Sequence, residues 1–290
     1  MASKKAEIIS RALKMIKLKE TVDFVHPKRT KKPYFPSWYF KNYQVNLMTV
    51  LQKNVYTISK NRKNSHHIVF FHGGGYSLGP TLIQYRFIKK IISTTKSTLS
   101  YVHYPLAPEA CAEETLSMAA KTYEKLTHDY PDDKFSLMGV SAGGGLALAL
   151  ALKIKDMALK PPVKIVLFSP WLDIELMNPA ISAYEYRDVV LKTSSLKDIG
   201  IIYARGVDLH DPMVSPLFGD LNDLGEMAVF YGTDEIFYPD CKALCRKSNL
   251  SDTSIKEYVY EGMPHAFIIL PIAESNNAIK EAALFLMDEN

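Results

Sequence analysis

Short, almost wholly apolar runs alternate with longer stretches of helical spacing through most of this chain. That alternation restricts the fold more than any other feature. The runs are residues 67–72 (His-Ile-Val-Phe-Phe-His), 99–104, 135–139, 163–168, 227–231 and 255–260, several of them continuous instead of alternating with polar residues. A strand apolar on both sides is one covered on both faces, as strands of parallel sheets are. Between them, near 81–95, 112–129, 142–157, 191–204, 240–249 and 273–287, apolar residues recur at spacings of three and four, the period of a helix with one buried face. The repeated strand–helix order predicts an α/β fold with a mostly parallel sheet and helices on both faces. Two β-branched stretches, 44–51 and 53–59, read as a hairpin or two early strands. Ahead of them Ile9, Ala12, Leu13 and Ile16 share one helical face, an amphipathic helix that needs an apolar surface to cover.

With 290 residues, 47% of them hydrophobic, the chain can bury one large core, and a single catalytic domain over residues 1–290 is the expectation. The net charge of +4 is unevenly spread: residues 1–32 hold ten Lys and Arg against Glu7, Glu20 and Asp23, a local +7 that leaves −3 for the rest. Clustered cations attract phosphates, but no aromatic or Gly-rich nucleic-acid signature accompanies them, so they read as a solvated helix face with no nucleic-acid partner. Residues 1–20 lack the apolar centre and small-residue cleavage site of a secretory signal, and no run approaches the roughly 18–20 apolar residues of a membrane span. A cytoplasmic protein without stable membrane insertion is expected. Cys111, Cys241 and Cys245 are too few for a disulfide framework. Cys241 and Cys245, four apart on a helical stretch, lack a second ligand pair at zinc spacing and read as packing residues.

The chemistry starts at Gly139-Val140-Ser141-Ala142-Gly143, a Gly-x-Ser-x-Gly pattern set between a strand and a helix. Chance would supply the bare pattern about once in twenty such chains. Its setting carries more weight: a nucleophile elbow needs a sharp strand-to-helix turn, with glycines where side chains would strike neighbouring backbone. The helix after Ser141 also aims its N-terminal amides at the reacting centre. A phosphate-binding turn is excluded, because neither a Gly-x-Gly-x-x-Gly nor a Gly-Lys-Ser/Thr follows. The second motif, His72-Gly73-Gly74-Gly75-Tyr76, comes directly after an apolar strand. Successive glycines there expose backbone N–H groups, as an oxyanion hole requires.

Together with Tyr104-Pro105-Leu106-Ala107-Pro108-Glu109, Ser169-Pro170-Trp171-Leu172-Asp173 and Asp211-Pro212-Met213-Val214-Ser215-Pro216-Leu217, these motifs resemble, in order and spacing over residues 66–290, the hormone-sensitive-lipase-like esterases of the α/β-hydrolase fold. Two departures, Pro105 where Arg is common and the absence of the usual Pro and Asp around 111–115, concern packing and not the reactive residues. The resemblance implies an eight-stranded sheet and a helical cap built from about residues 1–42 and an insertion at about 172–210, over a core of about 43–171 and 211–290. It gives the N-terminal helix an occupation, covering the cleft and the bound acyl chain. His265, in Gly262-Met263-Pro264-His265-Ala266-Phe267, fits the order Ser, acid, His of this fold and the family's motif for the base. His72 is assigned to the oxyanion loop. For the acid, Glu235 matches a Gly-x-x-Glu-Ile version of the motif and is preferred, Asp234 stays open, and Asp240 is expected to cap the next helix. The amides of Gly74, Gly75 and Ala142 are the implied oxyanion donors.

The expected function is hydrolysis of short- to medium-chain carboxylic esters through an acyl-enzyme on Ser141, with no metal or organic cofactor. The substrate is a small-molecule ester, a homodimer is allowed, and the aromatic segment 34–43 is a candidate pocket wall. Two alternatives stand beside it: an arylformamidase or amide hydrolase with the same triad, and a non-enzymatic ligand receptor on the same fold. His265 argues against the receptor.

Overall fold

A computed structural model describes residues 2–29 and 35–288. Among them eight strands form one sheet: β1 (Gln44–Val50), β2 (Lys53–Ser59), β3 (His66–Phe71), β4 (Thr98–Val102), β5 (Lys134–Val140), β6 (Lys164–Phe168), β7 (Glu226–Asp234) and β8 (Ile255–Pro264). Their order is β1-β2-β4-β3-β5-β6-β7-β8. β2 runs antiparallel to β1 and β4, and every other pairing is parallel. The helices are α1 (Lys4–Met15), α2 (Leu18–Thr21), α3 (Leu82–Thr95), α4 (Ala112–Asp129), α5 (Ala142–Asp156), α6 (Thr193–Ala204), α7 (Tyr238–Ser248) and α8 (Ala273–Met287).

Three of the apolar runs are fully buried strands, since every residue of β3, β4 and β6 is buried; the run 255–260 departs from expectation, lying on β8 at the edge of the sheet with none of its residues buried. Side chains alternate across a strand, so Ile68 and Phe70 join one core, with α3 and α8, while Val69 and Phe71 join the other, with α4 and α5. α3 starts at Thr81 through a reciprocal capping box with Gln84 and stops at Lys96, whose φ of 56° ends the helical path. Between β6 and β7 the chain leaves the sheet and forms a short turn of helix (Pro179–Ala183), then α6, then a second short turn (Pro216–Phe218). Ser215 closes this excursion at its base, its Oγ accepting from Ile174 N at 2.8 Å and donating to Leu209 O at 2.6 Å.

The N-terminal helix departs from expectation. Of the stripe Ile9, Ala12, Leu13 and Ile16, only Ile9 and Leu13 are half-buried, while Ala12 and Ile16 are exposed and Ala6 is the buried residue. The start of the helix sets this rotation: Ser3 donates from N and Oγ to the Glu274 carboxylate on α8 at 2.6 and 3.1 Å, which turns Ala6 and Ile9 toward the α3–α8 core. Among the described residues no helix is long and apolar enough to cross a membrane.

Phe70 is fully buried and packed against Phe87 and Tyr101, with ring centroids 5.7 and 5.2 Å away. Phe70→Ala is expected to lower the unfolding free energy by about 3–5 kcal/mol. Urea unfolding followed by far-ultraviolet circular dichroism measures this, and a loss below about 1 kcal/mol would contradict the packing described.

Candidate active site

Six parallel strands, β3 to β8, end at the same edge of the sheet, and the chain leaving β3, β5, β6, β7 and β8 carries the candidate residues. β5 turns into α5 through Ser141 alone, with φ 57° and ψ −124°, a strained conformation for a residue with a side chain. Its N–H donates to Phe168 O at 2.9 Å and its C=O accepts from Trp171 N at 3.0 Å, so β6 braces the turn from both sides. Two glycines make room for it. A Cβ on Gly139 would stand 2.0 Å from Gly143 O, and one on Gly143 would stand 2.2 Å from Phe71 O; no side chain fits at either.

Ser141 Oγ lies 2.9 Å from His265 Nε2, and His265 Nδ1 lies 2.7 Å from Glu235 Oε2. The tautomer follows from the partners: a carboxylate only accepts, so Nδ1 carries the proton and Nε2 accepts from the serine hydroxyl. The three side chains are nearly shut off from solvent, 7%, 5% and 0% exposed for Ser141, His265 and Glu235. Glu235 Oε1 is held by Ser169 Oγ at 2.8 Å and by Gly232 N at 2.7 Å. Ser169 Oγ in turn accepts from Ala266 N at 3.2 Å, which ties the loops after β6, β7 and β8 together. Asp234, the alternative acid, is half-buried beside the Thr233 hydroxyl and makes no hydrogen bond to His265.

Gly74 and Gly75, with φ of 136° and 58°, carry the chain past Ser141. The Phe24 ring packs on Gly75, close enough that a Cβ there would sit 2.7 Å from it. Ala142 heads α5, where the first N–H groups have no carbonyl behind them in the helix. His72 belongs to this loop: Nδ1 donates to Gly73 O at 2.9 Å, a carbonyl that also accepts from Gln84 Nε2. Burial pushes His72 down to about 4 and His103 to about 3, so both rings stay neutral in the core.

One expectation is corrected. Asp240 does not cap α7; Phe237 occupies the cap, and Asp240 is buried in the first turn with its carboxyl pushed up to about 7 by desolvation. Of the segment 34–43, Tyr34 lies outside the described residues, Phe35 and Phe40 pack against Tyr85, and Trp38, Tyr39 and Tyr43 line a cavity of about 210 Å³ with Lys41, Lys60 and Lys89. Sequence reasoning assigned nothing to the Ser169 hydroxyl or to Asp188, a buried carboxylate that accepts from Ile236 N at 3.0 Å. The serine stood in a quoted motif, whereas nothing in the spacing around Asp188 marks it as buried.

Comparison with known proteins agrees with this fold. The profile of a family described as having the alpha/beta hydrolase fold matches residues 68–269. An acetyl-hydrolase from Streptomyces hygroscopicus is 26% identical over 230 residues, 78% of this chain and 76% of the relative. An esterase from Acinetobacter venetianus is 30% identical over 223 residues, 75% and 73% of the two chains. Among solved structures, an esterase of the bacterial hormone-sensitive lipase family superposes with a TM-score of 0.84 at 24% identity, over 99% of this chain and 98% of that one, which speaks for the fold. With the profile spanning more than half of its length, the chain belongs to the α/β-hydrolase family.

Proposed function

We propose that the protein is a carboxylic ester hydrolase that works through a serine acyl-enzyme, with Ser141 as nucleophile, His265 as base and Glu235 as the acid. The observation that carries this is the unbroken path from Ser141 Oγ through His265 to Glu235, at 2.9 and 2.7 Å. His265 takes the serine proton as Oγ attacks the ester carbonyl, hands it to the departing alkoxide, and then activates the water that releases the acid. The developing oxyanion would sit against the amides of Gly74, Gly75 and Ala142, at the N-terminus of α5. A small acyl group is supported by the acetyl-hydrolase relative and by the Phe24 ring standing over Gly75.

Residues 1–42 and 172–210 are proposed as the cap. Supporting this, Tyr203 of α6 stacks on Tyr76 with centroids 3.9 Å apart. The two segments are also tied to each other: Lys19 Nζ donates to Glu185 O at 2.9 Å, and Lys192 pairs with Glu20 at 3.3 Å.

Hydrolysis of a p-nitrophenyl ester series tests the assignment. Ser141→Ala and His265→Ala are each expected to lose at least about 10⁴-fold in kcat. Glu235→Gln is expected to lose about 10³- to 10⁴-fold, because the wrong tautomer is then held. Asp234→Asn should stay within about threefold; the reverse order for these two would make Asp234 the acid. Ser169→Ala removes a hydrogen bond to a charged group, and a loss of about 10- to 100-fold in kcat with KM unchanged is expected from steady-state kinetics.

A further inference from the structure

We infer that Asp188 is a positioning residue of the hydrolytic reaction: from the excursion between β6 and β7, its carboxylate grips the backbone next to Glu235 and so sets where that side chain meets His265. The inference rests on the triad assigned above.

Asp188 is 1% exposed, and both of its oxygens are engaged. Oδ1 accepts from Val190 N and Leu191 N, each at 2.8 Å. Those bonds are local, of the kind Asp and Asn make wherever a chain turns. The other oxygen reaches out of its own segment and accepts from Ile236 N at 3.0 Å. That N–H belongs to the peptide joining Glu235 to Ile236. Its orientation fixes where the Glu235 side chain departs and where the Phe237 ring stands, edge-on to His265 at 5.0 Å. Ser169 and Gly232 hold the Glu235 carboxylate itself, and the carbonyl of that peptide accepts from Tyr238 N at 3.2 Å, so Asp188 holds its N–H side.

A neutral Asn would serve the two local bonds equally well, and burying a carboxylate is costly unless its charge is answered. The charged neighbours on the same excursion are committed elsewhere: Glu185 accepts from Thr193, Arg187 donates to Tyr186, and Lys192 pairs with Glu20. From the sheet side Asp234 and Glu235 are acidic, and His265 exerts the largest pull of any charged side chain on Asp188. Desolvation raises the Asp188 carboxyl to about 6, and the His265 charge draws it back toward the ionised form. An Asn would turn its NH2 group, a donor, toward the Ile236 N–H, so only a carboxylate accepts all three bonds.

Steady-state hydrolysis of p-nitrophenyl butyrate on the full chain tests this with two variants. Asp188→Asn, folded by circular dichroism, is expected to lose about 10- to 100-fold in kcat with KM within threefold, because it offers a donor where the Ile236 N–H needs an acceptor. A purely structural role would lower the folded fraction without separating kcat from KM. Asp188→Glu keeps both accepting oxygens but displaces them by one methylene; it should lose about 3- to 10-fold in kcat with KM unchanged, and it carries the test if the Asn variant does not fold. Wild-type kcat in either folded variant overturns the inference. Glu235→Gln, measured alongside, separates the two claims. If it stays active the triad assignment fails, and if it is inactive while Asp188→Asn is wild-type only the role of Asp188 fails.

Discussion

The site depends on how closely two pieces of backbone approach each other. β5 can end in a one-residue turn only because Gly139 and Gly143 leave no side chain between the turn, the start of α5 and the end of β3. That contact forces Ser141 into its strained conformation and lifts its hydroxyl clear of the sheet. It also brings the loop of Gly73, Gly74 and Gly75 beside the same serine. Strain at such a point persists only where the surroundings over-determine it. Here the bond from Ser141 N to Phe168 O and the one from Trp171 N to Ser141 O do so, along with the pairing of β5 between β3 and β6.

Parallel strands then bring the rest together from distant parts of the sequence. β7 and β8 end next to one another, so Glu235 and His265 leave adjacent strand ends and meet at hydrogen-bond distance. Ser169, one residue beyond β6, fills the space between their loops and bonds to both. The hydrogen-bonded group therefore draws on four strand ends, with solvent nearly excluded, where a fixed dipole acts more strongly than it does in water.

Much of this was legible in the sequence because the physics is local. Continuous apolar runs announce strands covered on both faces, and 68–71 or 164–168 can be nothing else in a chain with this repeat. The glycines around Ser141 announce crowding for the same reason. Asp234 and Glu235 are adjacent and equally acidic, so composition could not separate them. The turn after β7 points Glu235 inward to Ser169 and His265, while Asp234 closes the strand. The face of α1 was misread because helical periodicity gives the apolar stripe but not its partner, and Ser3 with Glu274, 271 residues apart, decides the rotation. Asp240 was misread by one turn of helix, since Pro239 at the second helical position moves the start of α7 forward to Phe237. Asp188 had no local mark at all, its meaning lying in an amide 48 residues away.

The stacking of Tyr203 on Tyr76 has a consequence for how such a chain can change over time. The excursion after β6 looks like a detachable module, clasped at its base by Ser215, that could be exchanged between relatives to alter what the cleft accepts. Yet Tyr76 directly follows Gly75, has a φ of 58°, and lies parallel to Tyr203 within 4°. A transplanted segment without an aromatic ring at that place would take away the support under the glycine loop as well as part of the proposed cap. Specificity and turnover would therefore be inherited together, and the excursion could be replaced only by one that carries its own ring for Tyr76.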